Sequence, residues 1–416
     1  MIVRGLAVAA LNQVLNEGVS VDDALDALPE LAPRDRGFLM AMVLTTLRHR
    51  GEIDAVIAVF LAKPLPRKSG SAALILMLGA AQLLFLDTPA HAAIDVSVRL
   101  AKADANATHF SGLINAVLRK IAVGGQEKLK GADGPRLNTP DWLWQRWSKA
   151  YGVETAHKIA AAHMLEPAID ITGSGLQGTL LPTGSIRLDK TQGAIENLPG
   201  FHDGAWWVQD AAAAIPAKLL GELKGKTAVD LCAAPGGKTL QLCAAGATVT
   251  AVDNSAIRLE RLRDNLKRAK FAAEVVVSDV LAMTGQFDAV LLDAPCSSTG
   301  TIRRHPDLPY LKTATQIAGL IALQARMLAH AATLVQPGGL LVYCTCSLEP
   351  QEGERQIDGF LAANPAFRIA PITAGECGIE AHMITPQGTL RTLPFMTIGG
   401  QAGLDGFYAA RLSKAF

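Results

Sequence analysis

Apolar residues in the first third of the chain recur three and four positions apart. This spacing covers residues 3–121, and it is interrupted by prolines rather than by alternating β-branched runs. Side chains at this spacing share one face of a helix, so we predict a helical bundle over residues 1–128. The most apolar stretch, 72–86, is shorter than the roughly 20 residues that span a bilayer, and we predict that it forms a buried helix.

A polar, glycine-rich stretch then interrupts the helical pattern. The sequence GGQEKLKGADGPRLNTP at 124–140 is typical of a connection, and we assign residues 129–140 to a linker. From 141 to 222, a helical start is followed by short apolar runs and turns that no single periodicity describes. We expect a small α+β segment there, next to the active site.

The second half of the chain alternates between strand-like and helix-like stretches. The strand-like runs lie at 227–231, 248–252, 274–277, 289–292 and 340–343, and the clearest helices at 255–270 and 313–335. Such alternation is typical of a mostly parallel, doubly wound α/β sheet with helices on both faces. We therefore predict an α/β domain over residues 223–416 that binds its ligands at the carboxyl ends of the strands.

Composition limits the possible partners and compartments. The chain has 416 residues, half of them apolar, and a net charge of +1, so a nucleic-acid site must be a local basic patch. Its six cysteines all lie in the second half and none are spaced C-x-x-C, which disfavours a disulfide scaffold or a zinc ribbon. The N-terminal stretch lacks the order of a secretory signal. We expect a cytoplasmic monomer without a membrane segment or a metal.

A glycine-rich turn, VDLCAAPGGKT, follows the first strand of the second half. Its small residues let a ligand approach the backbone, but it matches neither G-x-G-x-x-G nor an ATP-binding loop. Asp230, Asp253 and Asp279 lie at or near the ends of three successive strands. One such aspartate is more often a helix cap. Several beside one glycine turn favour an S-adenosylmethionine site, where carboxylates bind ribose hydroxyls and the adenine amino group.

Two cysteines follow the ends of two other strands, Cys296 in DAPCSSTG and Cys346 in VYCTCS. A thiol pair beside such a cofactor suits methylation of cytosine C5, a carbon too electron-poor to react directly. A thiolate must first add to C6, and it must be expelled after the C5 proton leaves. Asp293, three residues before Cys296, is the candidate to donate to N3, or hydrogen-bond with it, and stabilise charge on the ring.

Five motifs resemble the Sun/Fmu family of RNA cytosine-C5 methyltransferases over roughly residues 200–416. They are DLCAAPGGKT, AVDNSAIRLERLRDN, DAPCSSTGTIRRHPD, LVYCTCSLEPQEGE and GLDGFYAARL. Near the N-terminus, RDRGFLMAMVLTTLRHRGEID, LGAAQLLFLDTPAHAAIDVSVRLAK and FSGLINAVLRKI resemble the NusB-type RNA-binding domain. The combination is similar to the bacterial small-subunit ribosomal RNA methyltransferases of this family. It implies a NusB-like helical domain before a Rossmann-like, S-adenosylmethionine-dependent methyltransferase domain.

The resemblance also implies roles for single residues. In that family the cysteine of the T-C-S motif, here Cys346, attacks C6, and the cysteine of the D-A-P-C motif, here Cys296, helps to release the product. The implied cofactor contacts are Cys232, Ala233, Ala234, Pro235, Gly236, Gly237, Lys238, Asp253, Asp279 and Asp293. The implied RNA contacts are Arg303, Arg304, His305, Arg34, Arg36 and Arg119, for which an ordinary solvated basic surface is the alternative interpretation.

Several alternatives remain open. Transfer RNA could replace ribosomal RNA as the substrate, or the chain could be an inactive RNA-binding factor, which the intact Cys296, Cys346 and Asp293 disfavour. Methylation of an exocyclic amine or a protein side chain needs no thiols, and the N-P-P-Y or D-P-P-Y motif typical of amine methylation is absent. Cys344 and Cys346 could belong to a metal site, but no histidine or further cysteine lies nearby in the sequence.

Overall fold

The chain divides into two compact units. The computed structural model describes residues 1–66, 68–189 and 194–416. The first unit comprises Met1–Glu166 with Ile302–Thr313, and the second comprises Pro167–Thr301 with Ala314–Phe416. Each unit has its own apolar core.

The helices and strands follow the chain in this order. The α-helices are α1 (Ile2–Glu17), α2 (Val21–Asp26), α3 (Pro33–Arg48), α4 (Arg50–Phe60), α5 (Ala72–Phe85), α6 (Ala90–Ala103), α7 (Ser111–Leu129), α8 (Gly134–Leu137), α9 (Asp141–Tyr151), α10 (Val153–His163), α11 (Ile215–Lys218), α12 (Gly237–Ala244), α13 (Ala256–Ala269), α14 (Leu308–Leu311), α15 (Ala314–Thr333) and α16 (Glu354–Ala363). The strands are β1 (Asp170–Gly173), β2 (Thr179–Leu180), β3 (Ile186–Arg187), β4 (Trp206–Val208), β5 (Thr227–Leu231), β6 (Thr248–Asp253), β7 (Glu274–Val277), β8 (Phe287–Asp293), β9 (Val335–Thr345), β10 (Phe367–Ile369), β11 (Leu390–Thr392), β12 (Thr397–Ile398), β13 (Gln401–Ala402) and β14 (Phe407–Lys414).

The first unit is the predicted helical bundle. Helix α5 is apolar on all sides, and the buried side chains of Leu76 and Ala80 pack with Ile114 and Leu118 of α7. A helix that is apolar all round must be surrounded by other helices, which explains its central position. None of the helices in the described parts of the chain is long and apolar enough to cross a membrane.

The first unit extends further along the chain than the predicted bundle does. The predicted linker 129–140 contains the end of α7 and the short helix α8, and α9 and α10 follow within the same unit. Leu143 and Trp147 give α9 a fully buried apolar edge. This segment therefore belongs to a packed core and not to a connection, so the boundary at Glu166 differs from the predicted ones.

A segment from the second half of the sequence completes the first unit. Within Ile302–Thr313, Asp307 Oδ2 accepts a hydrogen bond from Val21 N at 2.9 Å. The Tyr310 hydroxyl donates to the carbonyl of Leu47 at 3.1 Å. These bonds fix the segment to helices near the N-terminus, although its sequence lies inside the predicted methyltransferase domain.

The second unit contains the predicted doubly wound sheet. Its strands are ordered β10-β14-β9-β8-β5-β6-β7, and β11 also pairs with β14. The pairs among β5 to β9 are parallel, and those of β14 are antiparallel. Successive residues of one strand face two different cores, as Ala289 and Val290 of β8 do. Helices therefore cover both faces, which confirms the predicted α/β fold.

The sheet has one topological switch point. Strand β5 pairs with β6 on one side and with β8 on the other, so the chain order reverses at β5. Ligands of such sheets bind in the crevice outside the carboxyl ends of the strands at this point. Leu231 and Leu292 are neighbours in the β5–β8 register, which brings the residues after both strands together.

A small antiparallel sheet precedes the main one, as predicted for an α+β segment. Its strands are ordered β2-β3-β1-β4. A buried ion pair joins two of them, with Arg187 Nε 2.7 Å from Asp170 Oδ1 and Arg187 Nη2 2.9 Å from Asp170 Oδ2. A bidentate pair of this kind satisfies both charges where water is excluded.

Candidate active site

The glycine-rich turn connects β5 to α12. Its backbone takes left-handed conformations at Cys232 (φ 65°) and at Gly236 (φ 110°). A side chain at Gly236 would also place its Cβ 3.0 Å from Leu262 Cγ, so glycine suits this position on two counts. With alanines at 233 and 234, the turn carries no long side chain over its backbone there.

Asp253 and Asp279 lie at or just after the ends of the neighbouring strands β6 and β7, and their carboxylates accept hydrogen bonds from backbone N–H groups. Asp253 is buried at the end of β6, and its two carboxylate oxygens accept from Ala234 N at 3.2 Å and from Ser255 N at 3.0 Å. Asp279 is exposed, and its Oδ1 accepts from Leu281 N at 2.9 Å. Asp279 is therefore the N-cap of a short 3₁₀ turn, the alternative role considered from the sequence, whereas Asp253 is not a helix cap, because Ser255 caps α13; both aspartates lie at the ligand-binding edge.

Asp230 is a buried carboxyl group beneath the turn. Thr239 Oγ1 donates to its Oδ2 at 2.6 Å, and its Oδ1 has no hydrogen-bond partner among the described residues. Burial raises the pKa of Asp230 to about 7, and the negative charges of Asp293 and Asp253 add to that increase. Asp230 therefore holds a proton up to neutral pH.

Lys238 and Asp293 form an ion pair across the switch point. Lys238 Nζ lies 2.8 Å from Asp293 Oδ2. Burial lowers the pKa of Lys238, but the neighbouring Asp293 carboxylate outweighs it and the net pKa is raised. Lys238 is thus a cation bound to Asp293, whereas the sequence placed it only among the cofactor contacts.

The two predicted thiols lie in contact. Cys296 follows β8 and Cys346 follows β9, and their Sγ atoms are 3.5 Å apart. Because β8 and β9 are adjacent and parallel, their carboxyl ends meet at the same edge. Asp293 closes β8 at this edge, so the Lys238–Asp293 pair and the thiols belong to one site.

The contact between the two thiols shifts their pKa values in opposite directions. Accepting a hydrogen bond from Cys296 lowers the pKa of Cys346, although burial opposes this effect. Donating that bond raises the pKa of Cys296 well above its usual value, and burial adds to the increase. The thiolate form is therefore more favourable for Cys346 than for Cys296.

Cys344 has a different environment. It is fully buried, and its thiol donates to Asp293 Oδ1 at 3.4 Å. Burial raises the pKa of Cys344 well above its usual value, so it is an inert thiol that orients Asp293. Within the described residues, no three histidine, cysteine, aspartate or glutamate side chains are grouped to hold a metal ion.

Two residues that the sequence did not single out hold the thiol loops. Gly300 N donates to the carbonyl of Cys346 at 3.0 Å, and Gly300 lies so close to Gly406 that a Cβ would be 1.9 Å from its carbonyl oxygen. Glu352 is fully buried behind the thiols. It is part of the motif LVYCTCSLEPQEGE, but the letters alone do not distinguish it from Glu349 and Glu354.

The basic residues after Cys296 belong to the first unit. Arg303 is 3% exposed, so its guanidinium is not available to an RNA phosphate, which corrects the prediction for this residue. Its backbone carbonyl accepts from Arg48 Nη2 at 2.9 Å. Arg304 is half-buried, and His305 Nδ1 lies 3.4 Å from Asp22 Oδ2.

The other predicted RNA contacts are on the surface of the first unit. Arg34, Arg36 and Arg119 are exposed. Arg36 Nη2 lies 3.5 Å from Asp26 Oδ1, and Arg119 Nε donates to Asn115 Oδ1 at 3.3 Å. Such exposed pairs contribute little to stability, and their RNA contacts stay a prediction.

Comparison with known proteins identifies two families in the chain. The family model described as 16S rRNA methyltransferase RsmB/F matches residues 217–413. The NusB family model matches residues 1–123. The chain therefore combines a NusB domain with a methyltransferase domain, as the sequence motifs predicted.

Curated relatives match over the full length. The Ribosomal RNA small subunit methyltransferase B of Vibrio cholerae is 33% identical, and the alignment covers 100% of this chain and 98% of the relative. The protein of the same name from Pasteurella multocida is 34% identical, with coverage of 99% and 96%. Because both alignments cover nearly the whole of each protein, the similarity extends over the whole chain and not over one domain.

Solved structures share the fold. The crystal structure of PH0851 superimposes with a TM-score of 0.77 at 23% identity and covers 99% of both chains. A methyltransferase homolog protein from Pyrococcus horikoshii has a TM-score of 0.54 at 27% identity, covering 65% of this chain and 93% of its own. With the full-length relatives and the matching family model, these findings show that the chain belongs to the 16S rRNA methyltransferase RsmB/F family.

Proposed function

We propose that the protein transfers a methyl group from S-adenosylmethionine to C5 of one cytosine in 16S ribosomal RNA. The observation that supports this reaction best is the 3.5 Å contact between Cys296 and Cys346 at the ligand-binding edge of the sheet. Methylation of an amine needs no such pair. The names of the full-length relatives support ribosomal RNA as the substrate, and that substrate suits the cytoplasm, the compartment expected from the unpaired cysteines.

The residues around the turn suit S-adenosylmethionine, which when bound supplies a methyl group on a positively charged sulfur. The turn between β5 and α12 leaves its backbone open because glycine and alanine occupy most of it. Asp253 and Asp279, at the ends of the next two strands, would hold ribose hydroxyls and the adenine amino group. Their order along the sheet matches the nucleoside order of doubly wound folds.

Cys346 is the proposed nucleophile. Its thiolate adds to C6 of the cytosine, and the electron pair of the C5–C6 double bond moves into the ring, which makes C5 nucleophilic. The hydrogen bond from Cys296 favours the thiolate before the attack. After methyl transfer, a base takes the C5 proton, the electron pair of that C–H bond re-forms the C5–C6 double bond, and the C6–S bond breaks with its electron pair returning to the Cys346 sulfur, beside which Cys296 lies.

Asp293 acts on the cytosine as a carboxylate held by Lys238. Because Lys238 pairs with Asp293 Oδ2, the carboxylate is suited to accept a hydrogen bond from the exocyclic amine of the cytosine. The ammonium of Lys238 supplies the positive charge that offsets electron density on the ring. Of the two roles considered for Asp293, the hydrogen-bonding role therefore suits this geometry better than that of an acid.

A methyl-transfer assay tests the proposal. The protein is incubated with tritiated S-adenosylmethionine and with ribosomal or transfer RNA from a strain that lacks its gene. We expect label in 16S RNA and one new bisulfite-resistant cytosine. Label in transfer RNA alone would support that alternative substrate, and no label in either RNA would support the inactive RNA-binding factor. Cys377→Ser, which changes a partly buried thiol outside the site, is the matched control for Cys346→Ala.

A further inference from the structure

A buried carboxylate lies directly behind the two thiols. Glu352 ends a short 3₁₀ turn, Pro350–Glu352, and is 0% exposed. Its Oε1 accepts from the backbone N of Ser297 at 3.0 Å and from Gln324 Nε2 at 2.9 Å. Gln324 lies on α15, so this oxygen links the loop after β8 to one of the helices of the second unit.

The second oxygen of the same carboxylate binds both thiol loops. Oε2 accepts from Ser347 Oγ at 2.6 Å and also from Ser297 Oγ. The two serine oxygens are themselves 3.0 Å apart. Ser297 directly follows Cys296, and Ser347 directly follows Cys346. One carboxylate therefore holds the residue next to each thiol.

These bonds make the position of Glu352 well determined. A buried carboxylate is costly unless several donors satisfy it, and here two hydroxyls, one backbone N–H and one amide N–H do so. The backbone of Glu352 is also fixed, since its carbonyl accepts from the Tyr343 hydroxyl at 2.8 Å. Tyr343 lies on β9, the strand that leads to Cys346.

We propose that Glu352 is a positioning residue that keeps the sulfur atoms of Cys296 and Cys346 in contact by binding the serine that follows each of them. Glu352 acts through Ser297 and Ser347 rather than on the substrate. The importance of this role in catalysis rests on the proposed function. The geometry of the thiol pair is testable without RNA or S-adenosylmethionine.

A charge role and a positioning role for Glu352 predict opposite changes in the pKa of Cys346, although the carboxylate charge itself acts on Cys296, whose pKa it raises. The titratable groups that influence Cys346 are Cys296, Asp293 and Lys238. If Glu352 acted only as a nearby negative charge, its removal would make Cys346 easier to deprotonate. If it positions the pair, its removal weakens the hydrogen bond from Cys296 and makes Cys346 harder to deprotonate. The direction of the change therefore separates the two effects.

The test measures alkylation of Cys346 by iodoacetamide across pH, followed peptide by peptide with mass spectrometry. Glu352→Asp keeps the charge but shortens the side chain by one methylene, and Glu352→Gln keeps the shape but removes the charge. We expect both to slow alkylation of Cys346 at pH 7 about tenfold and to move its midpoint to higher pH. Glu376→Gln, which breaks a partly exposed ion pair with Arg411, is the control and should leave the profile unchanged.

Further variants make the outcome decisive. In a Cys296→Ala background, Glu352→Asp should have no additional effect, because residue 296 then has no side-chain donor for Cys346. If the Glu352 variants do not fold, Ser297→Ala and Ser347→Ala each remove one hydroxyl and should slow alkylation in the same direction. If the midpoint pH of Cys346 alkylation is unchanged or lower in folded variants, the proposal is wrong. If the variants raise this midpoint pH but the wild-type protein methylates no RNA, the proposed function is wrong and the positioning role of Glu352 stands.

Discussion

Cys296 Sγ and Cys346 Sγ lie 3.5 Å apart on loops that follow adjacent parallel strands. The shared hydrogen bond lowers the pKa of Cys346 and raises that of Cys296. This difference in pKa is consistent with the roles that the family resemblance implies for the two cysteines, with Cys346 as the nucleophile.

The first prediction concerns this asymmetry. Cys346→Ala should form no covalent complex with RNA that contains 5-fluorocytosine, whereas Cys296→Ser should form it and, on RNA with ordinary cytosine, should accumulate a covalent complex that it releases more slowly than the wild type. The reason is that, in the proposed mechanism, only Cys346 bonds to C6. Denaturing gels that separate protein from crosslinked RNA measure both outcomes. A crosslink in Cys346→Ala would instead make Cys296 the nucleophile.

The second prediction concerns the ion pair beside the thiols. Lys238→Met leaves the Asp293 carboxylate without its cation, and Asp293→Asn removes the acceptor, so each should lower the single-turnover methyl-transfer rate at least about a hundredfold. The double variant should be little slower than the slower single variant, because both act as a unit. Lys226→Met, an exposed lysine, is the control. Fully additive losses would contradict a joint role.

The third prediction concerns the close approach of two loops. Gly300→Ala would place a Cβ 1.9 Å from the Gly406 carbonyl oxygen, and the loop would have to move away from Cys346. We expect a loss of about 1–3 kcal/mol of stability and slower crosslinking. Gly319→Ala on α15, where no atom lies within 4 Å of the added Cβ, should instead be neutral or stabilising. Equal melting temperatures for both variants would contradict this.

The fourth prediction concerns pH. Burial raises the pKa of Asp230 to about 7, so its proton favours the folded state at low pH. That contribution, at most about 4 kcal/mol, is fully present below about pH 4 and is lost as the pH rises towards 7. Asp230→Asn cannot ionise, so its melting temperature should exceed that of the wild type by more at pH 8 than at pH 5.

A control with the opposite sign accompanies that measurement. The hydroxyl and backbone N–H of Ser71 bind Asp104 and lower its pKa to about 2. Its contribution is present above about pH 4 and is lost as the pH falls towards 2. Asp104→Asn should therefore be destabilised to a similar extent at pH 5 and pH 8. A similar pattern in Asp230→Asn would show that its carboxyl group is not protonated in the folded protein.

Much of the second unit follows from local patterns in the sequence. Continuous apolar runs marked the five parallel strands, because a strand covered on both faces has no polar side. The glycine turn, Asp253 and both thiols then fell at strand ends, where doubly wound sheets bind ligands. The antiparallel strand β14 was not predicted, although its motif GLDGFYAARL was recognised, because periodicity does not specify which edge of a sheet a late strand joins.

Other features depend on contacts between distant residues. Arg303 looked like a surface cation beside Cys296, but its segment is packed within the helical unit, which no spacing in the sequence reveals. The Lys238–Asp293 pair joins residues 55 positions apart. Glu352 likewise resembled any other glutamate of an acidic stretch until its four donors were placed around it.

The helical unit is assembled from two stretches of chain, and this limits how the protein can be dissected. A fragment that stops at residue 166 would lack the Asp307 carboxylate that binds Val21 and the Tyr310 hydroxyl that binds Leu47. During translation, those partners emerge from the ribosome long after the helices that need them. We therefore expect the first unit to complete its packing only after residues 302–313 have been synthesised, and a fragment that ends at residue 166 to be less stable than the same unit in the full chain.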